Sequence, residues 1–368
     1  VSSAGSDERI AVVDGWRDAG ADPAVFAGSV VTAAVAWQGA VVAVGCDHEA
    51  TGAGPLEPTD APVWVGSGAD WRRAGPVTVP SPTGTGGTPV TCLDQVVASP
   101  FGLFAAAGAV VLQSADGLDW EPVNGLWPLG EGWASALFAL GDRVTVLSSR
   151  ASLAESTVAA LWTTTDGATW TVLGDPERYE AGVGDDPAVG FDNADVAEVV
   201  ERGGTLVAVG ASPGGAFVPT AAAWTSTDTV TWTPAAVAGG EDCYLTAVTV
   251  TDPGLFGAGW CADTGQPATW TSADGTVWQP AVAPVAELPE FSFLEVLATT
   301  WLGAGTVAIT GSVSHAGQEA GPDGQVQWLI DDGVLTRDDL VAVPYHRVGG
   351  TGFWPAVGAV PPAVLLAD

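Results

Sequence analysis

The sequence predicts an all-β protein, a seven-bladed β-propeller of four-stranded antiparallel blades. Three observations carry that expectation. A short phrase closing on tryptophan recurs: Ser114-Ala-Asp-Gly-Leu-Asp-Trp120, Thr164-Thr-Asp-Gly-Ala-Thr-Trp170, Ser226-Thr-Asp-Thr-Val-Thr-Trp232 and Ser272-Ala-Asp-Gly-Thr-Val-Trp278. A worn copy ends at Trp71, and from there the closing tryptophans step by 49, 50, 62 and 46 residues. A period near 50 marks one supersecondary unit copied along the chain. Around each copy lie the same short β-branched runs bounded by Gly, Pro and Asp, with no segment of helical period.

The second run of each unit is the clearest. It reads Val41-Val-Ala-Val-Gly-Cys46, Leu103-Phe-Ala-Ala-Ala-Gly108, Val144-Thr-Val-Leu-Ser-Ser149 and Leu206-Val-Ala-Val-Gly-Ala211. It continues as Leu255-Phe-Gly-Ala-Gly-Trp260, Thr306-Val-Ala-Ile-Thr-Gly311 and Ala363-Val-Leu-Leu-Ala-Asp368, seven copies in all. Near-continuous apolar runs of this length suit strands buried on both faces. The third run carries Trp162, Trp224 or Trp270, eight residues before the closing tryptophan. The Asp-Gly between the two tryptophans is a tight-hairpin signal. Each unit is therefore a meander A-B-C-D with the phrase on its C–D hairpin, and radial packing of such sheets is a propeller. Residues 353–368 read as strands A and B of a last blade, and residues 8–20 as its strands C and D. One domain over 1–368 then closes by pairing its termini, which covers the open edges. Six blades with loose tails is the alternative.

The phrase Ser-x-Asp-Gly-x-x-Trp resembles the Asp-box, or BNR repeat, of sialidase-like propellers, one residue shorter than its commonest spelling. The resemblance extends as a periodic pattern over nearly the whole chain. It implies structural roles for Asp116, Asp166, Asp228 and Asp274, each at the head of a turn where a carboxylate accepts backbone N–H groups. The tryptophan then acts as an apolar wedge between sheets. The sialidase site itself, three arginines around a carboxylate with a Tyr–Glu pair, is not matched. The starts of the A strands carry no arginine, and Tyr179, Tyr244 and Tyr345 have no evident Glu partner. Xyloglucan hydrolases of this kind work between two propellers, whereas this chain supplies one.

Composition narrows the function. The net charge is −33, from 43 acidic and 10 basic residues, and all ten are Arg. Such a polyanion is repelled by nucleic acid and anionic membranes. The lack of lysine removes Schiff-base chemistry and any P-loop. No apolar run is long enough to span a membrane. The four cysteines form no C-x-x-C pair, so they read as disulfides of an extracellular or cell-surface chain whose export signal has been removed. Cys243 begins strand A and Cys261 ends strand B of the fifth unit, which pairs them. Cys46 and Cys92 stand on the same face and form the second expected bridge.

Candidate functional residues lie in the long B–C and D–A loops, unrepeated loops on a repeated scaffold. Tyr179, Asp185, Asp186, Asp192, Tyr345 and Trp354 are the candidate ligand-binding residues. His48, His315 and His346, the chain's three histidines, all fall on this face and would make a transition-metal site if they converge. The acidic cluster from Gly182 to Asp195 offers the hard oxygen ligands that suit Ca²⁺. The leading expectation is a secreted or cell-surface, non-catalytic binding module for a glycan or protein partner. The rival is a carbohydrate-active hydrolase or lyase drawing on Asp185, Asp186, Asp192, Glu241, Asp242 or Glu290. A purely architectural module is a third reading.

Overall fold

The computed structural model describes residues 16–18, 25, 29–49, 57–58, 61–67, 70–75, 77–80, 87–90, 92–123, 133–151, 157–173, 191, 194–213, 219–281, 292–303, 306–315, 324–331, 334–341, 345–347, 353–355 and 365–367. Within them, strands follow one another as six antiparallel meanders. Sheet 1 runs Ser29–Trp37, Ala40–Glu49, Val63–Ser67, Asp70–Arg73. Sheet 2 runs Gln95–Ser99, Gly102–Ala107, Val110–Ser114, Glu121–Pro122. Sheet 3 is Trp133–Leu140, Arg143–Ala151, Thr157–Thr164, Thr171–Leu173. Sheet 4 is Asp195–Arg202, Thr205–Pro213, Pro219–Ser226, Thr233–Pro234. Sheet 5 comprises Cys243–Val250, Leu255–Cys261, Gln266–Ser272, Val277–Pro280. Sheet 6 comprises Ser292–Gly303, Thr306–His315, Gly324–Asp331, Val334–Val341.

The first strand of each sheet touches the first strand of the next, from sheet 1 through to sheet 6. Sheets that meet face to face in chain order, with their first strands innermost, make a β-propeller. The core is accordingly not one mass but a series of layers. Val42, Val44 and Val63 of sheet 1 meet Leu103, Ala105 and Leu112 of sheet 2. Phe104 and Val111 on the opposite face of sheet 2 meet Leu137, Val144 and Val146 of sheet 3. Phe138 and Leu147 pack with Val196, Leu206 and Ala208 of sheet 4. Val207 and Val209 then pack with Leu245, Val248 and Trp278 of sheet 5. This is why the middles of the second strands are largely apolar: both faces are interior, and Gly102–Ala107 is buried throughout.

The C–D hairpins are built alike. In sheet 2, the Ser114 hydroxyl accepts the N–H of Asp116 and of Gly117, at 3.3 and 2.9 Å. The Asp116 carboxylate accepts the N–H of Leu118 and Asp119, at 2.8 and 3.0 Å. Thr164 and Asp166 repeat the set, as do Ser226 and Asp228. Asp274 keeps one backbone bond, from Thr276, and adds the Thr276 hydroxyl. Donated hydrogen bonds favour the ionised carboxylate. The N–H groups of Thr169 and Ala168 thus hold the Asp166 carboxyl down at about 2, and the other three carboxyls are lowered by bonds of the same kind. The indole of the closing tryptophan returns a bond to the turn: Trp120 to Gly117 O, Trp232 to Thr229 O and Trp278 to Gly275 O, at 3.0–3.2 Å. Trp170 departs from the pattern, its buried Nε1 having no acceptor; its ring meets Phe104 of sheet 2 edge-on at 5.8 Å.

Each hairpin also seats on the preceding sheet. The turn needs a left-handed residue, filled by Gly117, Gly167 and Gly275 (φ +79°, +74°, +89°) and, in sheet 4, by Thr229 (φ +68°). A Cβ on Gly275 would stand 2.7 Å from Val207 of sheet 4, so glycine there serves contact as well as conformation. Where Thr229 replaces glycine, Arg143 of sheet 3 reaches across and donates to Asp228 O at 2.7 Å. Arg202 of sheet 4 does the same to Ala273 O of sheet 5, at 2.7 Å.

The chain ends pair, Trp16–Asp18 antiparallel to Leu365–Ala367. The pairing differs in detail from the expected last blade. The C-terminal strand meets Trp16–Asp18, within the 8–20 segment expected to supply strands C and D; the rest of that segment lies outside the described residues. Phe353–Pro355 pairs with Tyr345–Arg347 and not with the terminal strand that follows it. The described residues therefore hold six sheets built on four-stranded meanders, two of them with a fifth short strand, and three two-stranded pairs, one of which joins the chain ends.

Candidate functional site at the loop ends of the inner strands

The starts of the first strands and the ends of the second strands share one side of the molecule, the side of the long loops. Two disulfides sit there. Cys243 and Cys261 face each other in register across sheet 5 and are bonded. Cys46, near the end of the second strand of sheet 1, is bonded to Cys92, just ahead of sheet 2. One bridge locks a sheet's open end and the other ties two sheets together. Both were legible in the order of the strands.

Directly inside the Cys243–Cys261 pair comes Tyr244 opposite Trp260. Their rings stack at 4.6 Å between centroids and 23° between planes, and both residues are half-buried. Trp133, opening the first strand of sheet 3, is 41% exposed. Flat rings left open beside a disulfide-pinned edge are surfaces for stacking.

The inner strands also share a device that the sequence did not announce. One extra residue bulges out of the first strand in sheets 1, 3, 4, 5 and 6: Thr32, Ser135, Ala197, Thr246 and Leu297. Bulges re-aim side chains and tighten the twist. In sheet 4 the bulge puts Asp195 and Glu198 on the same face of the strand, turned toward sheet 5, while Val196 and Val199 pack toward sheet 3. Glu198 accepts the Val248 N–H of sheet 5 at 2.7 Å. Burial pushes its carboxyl up to about 7, against that hydrogen bond. Burial also raises Asp195 and Asp94, just ahead of sheet 2, whose rise is opposed by a bond from the Gly108 backbone.

Of the residues predicted from sequence, Tyr179, Asp185, Asp186, Asp192 and Glu290 lie outside the described residues. His48 and His315 occupy the loop-side ends of second strands, opposite Pro58 and Ser292. Tyr345, His346 and Trp354 belong to one two-stranded sheet, with His346 opposite Trp354. The side chains of these five lie outside the described residues. Glu241 and Asp242 lead into sheet 5, and the Asp242 carbonyl accepts the Ala262 N–H beside the disulfide. Among the described residues no three His, Cys, Asp or Glu side chains gather as a metal cluster, and no helix is long and apolar enough to cross a membrane. The sequence already places Trp133 and Tyr244 among the aromatic residues near the channel mouth whose rings would stack sugar faces; it does not single out Trp260, Glu198 or Gln95.

No protein-family model matches the chain, and no curated protein matches it. Several solved structures resemble it at low identity. An α-L-arabinofuranosidase from Fusarium graminearum is 14% identical, with a TM-score of 0.45 over 77% of this chain and 88% of that one. A GH74 xyloglucanase from Xanthomonas campestris is 14% identical, with a TM-score of 0.45 over 86% of this chain and 60% of that one. A PL25 ulvan lyase is 11% identical, with a TM-score of 0.45 over 83% and 79%. The propeller assignment rests on the strand order and on the contacts between first strands.

Proposed function

We propose that this protein is an extracellular, seven-bladed propeller of the Asp-box type that engages a glycan on its long-loop side. The observation that carries the reading is the half-open Tyr244–Trp260 stack beside the Cys243–Cys261 bridge. Sugars present apolar C–H faces ringed by hydroxyls. A stacked aromatic pair takes the first, and the acidic loops accept hydrogen bonds from the second. Tyr179, Asp185, Asp186, Asp192, Tyr345 and Trp354 extend the surface in this reading, with Ca²⁺ at the Gly182–Asp195 loop and the three histidines as the metal options. A glycan that is neutral or carries cations suits a chain of net charge −33. Two disulfides fit an oxidising compartment.

A catalytic version of the same site, hydrolase or lyase, draws on Asp185, Asp186, Asp192, Glu241, Asp242 or Glu290. A general acid needs a raised carboxyl, and burial raises that of Asp195 at the loop-side start of the inner strand of sheet 4. One experiment tests both. The protein is melted in the presence of a panel of neutral oligosaccharides, and each sugar that raises the midpoint is analysed for cleavage products. Binding without products supports the binding module, and products select the enzyme. Trp260→Ala should abolish the shift in either case. A panel that leaves the melt unchanged, or a Trp260→Ala protein that still responds, overturns the glycan reading.

A further inference from the structure

Gln95 and Glu198 occupy the same place in sheets 2 and 4. Glu198 pairs with Val209, the fourth residue of the second-strand run that begins at Leu206. Gln95 pairs with Ala106, the fourth of the run that begins at Leu103. Both reach the inner strand of the following sheet. The Gln95 amide oxygen accepts the Leu137 N–H, and its Nε2 donates to Ser135 O at 3.0 Å. Ser135 is the bulge residue of sheet 3, and Leu137 lies two residues on. In sheet 5 the bulge residue is Thr246, and two residues on is Val248, whose N–H Glu198 accepts. The amide of Gln95 thus spans a carbonyl and an N–H, and the equivalent positions in sheet 5 are Thr246 and Val248, of which Glu198 accepts the Val248 N–H.

We propose that Glu198 is held as a neutral carboxylic acid that stands in for the Gln95 amide, accepting from Val248 and donating its proton to the Thr246 carbonyl, so that the junction of sheets 4 and 5 is fastened by a proton that alkali removes. An ionised carboxylate has no hydrogen to give that carbonyl and would set two acceptors against each other. The surroundings agree. From sheet 5, the facing side chains are Leu245, Val248 and the bridged Cys243, none of which titrates. From the second strand of sheet 4 they are Val207 and Val209. On its own strand, Asp195 shares the face and adds negative charge, while Arg202 is turned to Ala273 O at the hairpin end. No cation among the described residues faces Glu198 to hold it ionised.

The sign follows from linkage. The folded protein keeps a proton that the unfolded chain gives up above its ordinary value of 4.5. The junction is therefore strongest below that pH and weakens as pH rises through about 7. The test compares wild type with Glu198→Gln and with Gln95→Glu in thermal melts at pH 5 and pH 8. Infrared spectra through the same range follow the carboxylic-acid carbonyl band. Wild type should show an acid band that vanishes on titration near neutrality, and Glu198→Gln should lack that band and lose part of the alkaline fall in midpoint. Gln95→Glu should gain a second such band and a steeper fall. Should either variant fail to fold, the wild-type band alone decides. Absence of a titrating acid band near neutral pH, or a Glu198→Gln protein that keeps both the band and the full alkaline fall, overturns the proposal. This inference does not rest on the glycan reading: Trp260→Ala leaves the band in place whatever it does to sugar binding.

Discussion

At the hairpin ends of sheets 2 to 5, every turn is held by a Ser or Thr hydroxyl and an Asp carboxylate, fixed in ionised form by backbone N–H groups. At the loop ends, carboxyls are pushed toward the neutral form and aromatic rings stay half-open. Both ends are made of polar residues beside the same strands. The difference lies in what each carboxyl meets: donors at one end, apolar side chains and another sheet's backbone at the other. Aspartates that meet donors are fasteners. A carboxyl that meets burial keeps a proton and becomes sensitive to pH. Repetition follows the first case, because a turn that satisfies itself can be copied unchanged, and variation follows the second.

Removing a fastener should hurt stability most. Trp278 is fully buried between sheets 4 and 5, and Trp278→Ala should cost about 3–5 kcal/mol in denaturant melts. An unchanged melt would mean that the layers relax freely around missing wedges. Gly275→Ala should cost about 2–4 kcal/mol, combining left-handed strain with the clash against Val207. Next comes the acid response. The folded Asp166 carboxyl is depressed from 3.8 to about 2. Its contribution is complete above pH 3.8 and disappears as pH falls through about 2. Asp166→Asn should therefore be weaker than wild type at pH 5, with the gap closing toward pH 2. Thr229→Gly should change little. Relief of about 1–2 kcal/mol of left-handed strain is offset by glycine's chain entropy and by the loss of a buried methyl, leaving about 0.5 kcal/mol or less. The pair Gly275→Ala and Thr229→Gly is thus a sharp test, since one turn position yields a large effect in one sheet and almost none in another.

Local signals carried most of the architecture. Asp-Gly before tryptophan marks a turn whose partners lie within six residues, so Asp116 and Asp166 could be placed without knowing any other part of the chain. The cysteine pairs followed once strand order was known, because Cys243 and Cys261 stand at the open end of one hairpin. Glu198 was not legible for the opposite reason. Its role depends on a bulge that turns it onto the face of Asp195, and on the backbone of a sheet fifty residues away. The pairing of Trp16 with Ala367 follows the expected closure of the two termini, whereas Phe353–Pro355, expected within the last blade, pairs with Tyr345–Arg347. The loop candidates, from Tyr179 to Asp192, lie where neither periodicity nor the described residues reach.

The layered core has a consequence for how such a chain changes over time. Each layer is made by the forward face of one sheet and the backward face of the next, and all the layers use the same kinds of side chain at the same places. Stability is then close to a sum over neighbouring pairs, as in a one-dimensional stack. A tandem copy of one sheet, inserted at a junction, would bring a backward face that already fits its predecessor and a forward face that already fits its successor. Growth or shrinkage by a whole unit therefore leaves every apolar contact matched, and what must be renegotiated is the curvature of the ring and the hydrogen bonds that cross it near its axis.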